Sequence, residues 1–118
     1  MAKVKTVRLD IPQGATYIHT FTHTEQDEVT PIDLTGFTAR LQMRSTVKSS
    51  TVLHEATTSN GGIAITPASG VVDLRISATD TAGFAFTRAV YDLEIEAPDG
   101  TVTRIVKGSI VVDPEVTR

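Results

Sequence analysis

The chain has no cysteine and no tryptophan. Without thiols there can be no disulfide and no thiolate metal site, so stability must come from packing and hydrogen bonding. Aromatic residues make up 5% of the sequence, little material for the exposed planar rings of a carbohydrate-binding face. Charge of one sign is scarce as well. Acids and bases interleave to a formal net charge of −3, and no basic stripe of the kind that neutralises nucleic-acid phosphates runs along the chain. No apolar run approaches the ~20 residues a membrane-spanning helix needs. The opening Met1-Ala2-Lys3-Val4-Lys5 leads into no apolar signal-peptide core. Nucleic acid and membrane are therefore not expected partners.

Signatures of catalysis are also missing. None of Ser45, Ser49, Ser50, Ser59, Ser69, Ser77 and Ser109 sits in G-x-S-x-G, and no histidine–acid pair can be assigned to orient one. Gly61-Gly62 and Gly70 are turn glycines outside any phosphate-cradling pattern. His19 and His23 are four residues apart, which would join two imidazoles on one metal in a helix. In a strand the same spacing separates them by ~13 Å. Glu25, Asp27, Glu28 and Asp33 lack the D-x-D-x-D-G order of a calcium loop and read as a solvated hairpin loop. The expectation is no enzyme, no cofactor and no metal.

What is abundant is threonine, at 19 positions, together with valine and isoleucine, a β composition. Phe37, Ala39, Leu41 and Met43 alternate with Thr38, Arg40, Gln42 and Arg44, the period of a half-buried strand that follows the turn Pro31-Ile32-Asp33-Leu34-Thr35-Gly36. Further strands are predicted over Val4 to Ile11, Ala15 to His23, Thr51 to Thr57, Gly62 to Thr66, Val71 to Ser77, Arg88 to Glu96 and Thr101 to Val112. Pro12-Gln13-Gly14 breaks the first from the second. Asp99-Gly100 is the strongest hairpin signal. The one helical signal is Ser77-Ala78-Thr79-Asp80-Thr81-Ala82, capped by Ser77 and closed by Gly83.

Seven or eight short strands at roughly ten-residue spacing predict one domain over residues 1–118, an all-β, immunoglobulin-like antiparallel sandwich with a helical turn near 77–83. The cysteine and tryptophan marks of antibody domains are absent, and a small closed barrel fits the same pattern. Gly83-Phe84-Ala85-Phe86 offers two rings that either cap one end of the core or stand exposed at a contact surface.

The ordered series Ile11-Pro12-Gln13-Gly14-Ala15-Thr16, Pro31 to Arg40, Asn60 to Ile65, Ser77 to Ala82, Tyr91 to Ile95, Asp99 to Arg104 and Gly108 to Val112 resembles a tailed-phage structural β-sandwich family related to the N-terminal domain of siphophage upper baseplate proteins. The resemblance implies a virion structural protein, made in the host cytoplasm without a signal peptide, in the tail, baseplate or fibre-attachment region. A head decoration, collar or head–tail connector protein is the alternative, and a host-glycan-binding module a more distant one. The chain ends soon after its last strand, so the resemblance implies a free-standing subunit that associates with copies of itself and with neighbouring virion proteins. Termini stay ordered only when something holds them. The candidate partner contacts are therefore Lys3, Lys5, Arg8, Glu115, Val116 and Arg118, with Phe84 and Phe86 beside the helical turn.

Overall fold

A computed structural model describes residues 4–25, 27 and 29–118. The strands are β1 (Lys5–Thr6), β2 (Leu9–Pro12), β3 (Tyr17–Thr22), β4 (Thr38–Arg44), β5 (His54–Thr57), β6 (Ile63–Thr66), β7 (Val71–Ile76), β8 (Arg88–Glu96) and β9 (Val102–Asp113); one short helix, α1 (Ala78–Ala82), joins β7 to β8. They form two sheets. The larger has the order β1-β9-β8-β4-β5, with β2 also pairing β9, and the smaller has the order β3-β7-β6. The result is an all-β sandwich of immunoglobulin-like type. Two separate sheets, packed face to face, exclude the closed barrel.

The alternating faces of the sequence become the two inner faces of the sandwich. Ala39, Leu41 and Met43 of β4, Val72, Leu74 and Ile76 of β7, and Ala89, Tyr91, Leu93 and Ile95 of β8 are all buried. Phe37 packs against this core while half-buried. Burial of these side chains is the main favourable term, at roughly 1.5–3 kcal/mol for each large aliphatic side chain. The β8–β9 hairpin closes at Asp99-Gly100 as its sequence requires, with Gly100 at φ 91°, a region that residues with a Cβ avoid. The Asp99 carboxylate accepts the Thr101 amide at 2.9 Å. The Ser77 hydroxyl caps α1 by accepting from the Asp80 amide at 3.1 Å.

The strands depart from the sequence expectation at several points, and β5 begins at His54 rather than Thr51. The first predicted strand is split: β1 and β2 flank Val7-Arg8 and both run parallel to β9. Parallel pairing between the first and last strands leaves no local mark in the sequence, because no turn joins them. β3 begins at Tyr17 rather than Ala15, because Gln13-Gly14 turns the chain and Ala15 still bonds back to Pro12. Within β9 the alternation slips by one. Leu93 faces Val106 whereas Glu94 faces Arg104, so Ile105 is the extra residue of a β-bulge, and Ile105 and Val106 are both buried.

Candidate docking surfaces

Alternation that buries one face of the large sheet exposes the other, and its register sorts the outward side chains into rows. Arg40 of β4 faces Glu94 of β8, which faces Arg104 of β9. The next row runs Gln42, Asp92, Lys107 and then Thr6 of β1. The sheet's twist makes these rows the floor of an open groove of about 620 Å³. Four cations, Arg40, Arg44, Arg104 and Lys107, line it with two carboxylates, Asp92 and Glu94. A chain of net charge −3 thus carries a locally basic surface.

The groove is internally braced. Arg40 donates from Nε to Glu94 Oε1 at 3.0 Å and approaches it through Nη2 at 2.9 Å, a bond that raises the Arg40 pKa further. Arg44 donates to the Ser49 carbonyl at 2.9 Å and to Gln42 Oε1 at 2.8 Å. Burial, and then the neighbouring Glu94, push the Asp92 carboxyl above the usual carboxylate range. Among the described residues neither Arg104 nor Lys107 has a carboxylate within 4.0 Å. These two cations are therefore available to an incoming acidic group.

The terminal candidates fall at different places. Lys3 lies outside the described residues. Lys5 reaches back to the Thr22 carbonyl at 3.5 Å, and Arg8 pairs with Asp10 at 2.8 Å on an exposed edge. At the other end of β2 the Glu115 amide donates to Gln13 Oε1 at 2.8 Å, and Arg118 donates to the Glu115 carbonyl at 2.7 Å. Val116 is 92% exposed.

Phe84 is a correction. Its ring is buried in the core, 4.9 Å from Phe86 and edge-on to His54 at 5.4 Å, so it caps one end of the sandwich and has no surface to offer. Phe86 is half-buried against the same cluster. The histidines and the acidic loop have local tasks too. His19 lies between Tyr17 and Phe21, with ring centroids at 6.4 and 4.5 Å. The Asp27 and Asp33 carboxylates close their own turns on Thr30 and Thr35. The groove has no contiguous signature in the sequence. Its signal is the polar and charged residues Arg40, Gln42 and Arg44 of β4, Asp92 and Glu94 of β8 and Arg104 and Lys107 of β9, and only the register shows that they align.

A comparison with protein-family models found no match, and neither did a comparison with curated proteins. Among solved structures, the chain is similar to extracellular domains 3–5 of Drosophila OTK, with 14% identity over 89% of this chain and a TM-score of 0.38. It spans 32% of that longer chain. It is also similar to the extracellular domain of the voltage-gated sodium channel beta4 subunit, described as a parallel homodimer in cell–cell adhesion. There the identity is 8%, the coverage 97% of this chain and 98% of that one, and the TM-score 0.42. The fold assignment stands on the strand order and register described above.

Proposed function

We propose that this protein is a structural subunit of a phage particle, in the tail, baseplate or fibre-attachment region, and that it works through protein–protein contacts rather than chemistry. The observation that carries the contact role is the braced, locally basic groove on the outer face of the large sheet, where Arg104 and Lys107 lack carboxylate partners among the described residues. Such a surface favours an acidic segment of a neighbouring virion protein and steers its approach. The virion setting is supported by the ordered series of turn-and-strand motifs along the chain.

Mass spectrometry of purified particles, followed by reconstruction of the virion, tests the reading. The chain should be present and assigned to density at the tail or baseplate. A location at the head or collar would keep the scaffold role and change the neighbour. Absence from purified particles would overturn the structural reading. The double variant Arg104→Glu, Lys107→Glu should lower incorporation into particles while leaving Tm within about 3 °C, as expected of exposed positions.

A further inference from the structure

Among the described residues the small sheet ends in an edge that no strand pairs: β3 pairs with β7 alone. The Arg75 amide donates to Gly62 on the β6 side and the His23 amide to Gly70, which fixes the direction of every backbone group between them. Tyr17, His19 and Phe21 face β7, so Ile18, Thr20 and Thr22 turn their amides and carbonyls away from the sheet. Lys5 Nζ, at 3.5 Å from the Thr22 carbonyl, is the one group approaching them among the described residues. Ile18 is 60% exposed.

The other edges carry the devices that discourage pairing. The β1–β2 edge has Lys5, Arg8, Asp10 and Pro12. β5 is four residues long with Glu55, and β6 is four residues long and runs into Pro67. β3 is six residues, Tyr-Ile-His-Thr-Phe-Thr, without charge, proline or glycine.

We propose that two copies of this chain associate by antiparallel pairing of β3 with β3 across a two-fold axis at Thr20, joining the two small sheets into one. A two-fold axis keeps inner faces inner, so this register sets Thr20 against Thr20 and Ile18 against Thr22 of the second copy. Every edge-facing group of the three residues then finds a partner, once the flexible Lys5 side chain leaves the Thr22 carbonyl. No charged residue opposes another along the strands. On the inner face His19 meets Phe21 of the second copy, which extends the file of half-buried rings by cross-strand aromatic pairs.

Charge at the neighbouring edge points to a second copy as the occupant. Asp10 lies beside Tyr17, whose phenol is pushed up by burial and then by that carboxylate. Lys5 lies beside Thr22 and His23. The same register places Tyr17 opposite His23 of the second copy, so Asp10 of each β1–β2 edge, paired with its own Arg8, approaches Lys5 of the other and can share its carboxylate with that ammonium. This pairing deepens the contact role proposed above by naming one partner. It is tested on purified protein without any particle, so its failure and the failure of the virion reading are separate results.

Sedimentation velocity from about 1 µM to 1 mM should show a monomer–dimer equilibrium. Ile18→Lys and, independently, Thr20→Lys should each weaken it at least about tenfold, with the far-UV spectrum and Tm confirming a folded monomer. Because the chain lacks cysteine, Thr20→Cys supplies a single thiol. Directly opposed residues of a hydrogen-bonded antiparallel pair have Cα atoms about 5.5 Å apart, within disulfide reach. Under mild oxidation Thr20→Cys should cross-link into dimers much faster than the control Thr66→Cys on β6. A monomer throughout the range, a dimer that both lysine variants leave unchanged, or equal cross-linking of the two cysteine variants would each overturn the proposal.

Discussion

The Tyr91 hydroxyl donates a 2.7 Å hydrogen bond to the Val7 carbonyl oxygen, across the point where the first strand breaks into β1 and β2. Tyr91 faces Gly108 in the β8–β9 pairing. That glycine is required by space: a Cβ there would stand 1.9 Å from the Val7 oxygen and 3.2 Å from the Tyr91 ring. The Val7 amide meanwhile donates to the Lys107 carbonyl at 2.9 Å. One tyrosine and one glycine therefore set how closely the N-terminal segment approaches β9. Burial, and then Tyr17, raise the Tyr91 pKa, so the phenol keeps the proton it donates at all ordinary pH.

Tyr91→Phe should keep the ring and leave the Val7 carbonyl without its partner, at a cost of about 1–3 kcal/mol. Gly108→Ala should cost a comparable or larger amount, since the clash is with backbone that must move. Urea denaturation of both variants measures this. An unchanged midpoint for Tyr91→Phe would show that water replaces the hydroxyl at no cost.

Much of this arrangement was legible in the sequence, and the exceptions have physical reasons. The core faces of β4, β7 and β8 followed from period-two alternation, because each strand presents one face to the core and one to solvent. The Ser77 cap and the Asp99-Gly100 turn were legible because both are decided within four residues. The Val7-Arg8 break was not, since it depends on Tyr91, 84 residues from Val7, and on Gly108, still further along the chain. Which of the two readings of Phe84, core cap or contact surface, holds was not legible for a similar reason: His54, which stands edge-on to its ring, comes from β5. The groove needed the register of three strands, which alternation alone does not supply.

Thr81 is fully buried in α1. Its Oγ1 accepts from the Gly14 amide at 3.0 Å and donates to the Ala15 carbonyl at 2.8 Å, tying the helix to the β2–β3 turn. Thr81→Val preserves shape and removes both bonds, so it should destabilise by about 1–3 kcal/mol. Thr81→Ser should retain most of that stability. Thermal unfolding of the pair separates the hydroxyl's contribution from the methyl's.

Stability should fall as the solution is acidified from pH 7 to 5. Burial lowers the pKa of His19, His23 and His54, with Lys5 adding to the effect at His23 while Glu25 opposes it, and Asp80 opposing it at His54. The unfolded chain, with histidines near 6.5, then binds protons that the folded chain resists, so stability is lost as pH drops through that value. A second loss follows in the carboxylate range. Hydrogen bonds from the Thr30 hydroxyl, the Thr35 hydroxyl and the Thr101 amide hold Asp27, Asp33 and Asp99 below their usual values, and that stabilisation disappears as they protonate. The raised Asp92 acts in the opposite sense just above the same range. Tm measured against pH should show both steps, and His54→Gln should flatten the first.

Gln13 holds the C-terminal segment to the body of the sandwich. Its Oε1 accepts from the Glu115 amide at 2.8 Å, while its Nε2 donates to the Phe84 carbonyl at 3.0 Å. Beside it, the Glu115 side chain lies over Gly14, where a Cβ would collide with its carboxylate. Gln13→Met keeps length and loses both hydrogen bonds. Hydrogen exchange should therefore quicken at the Glu115 amide by about tenfold or more, while amides within β8 and β9 keep their protection, because opening the tail is a local event distinct from global unfolding. Unchanged exchange at Glu115 would mean that the tail is held by its packing over Gly14 rather than by the glutamine.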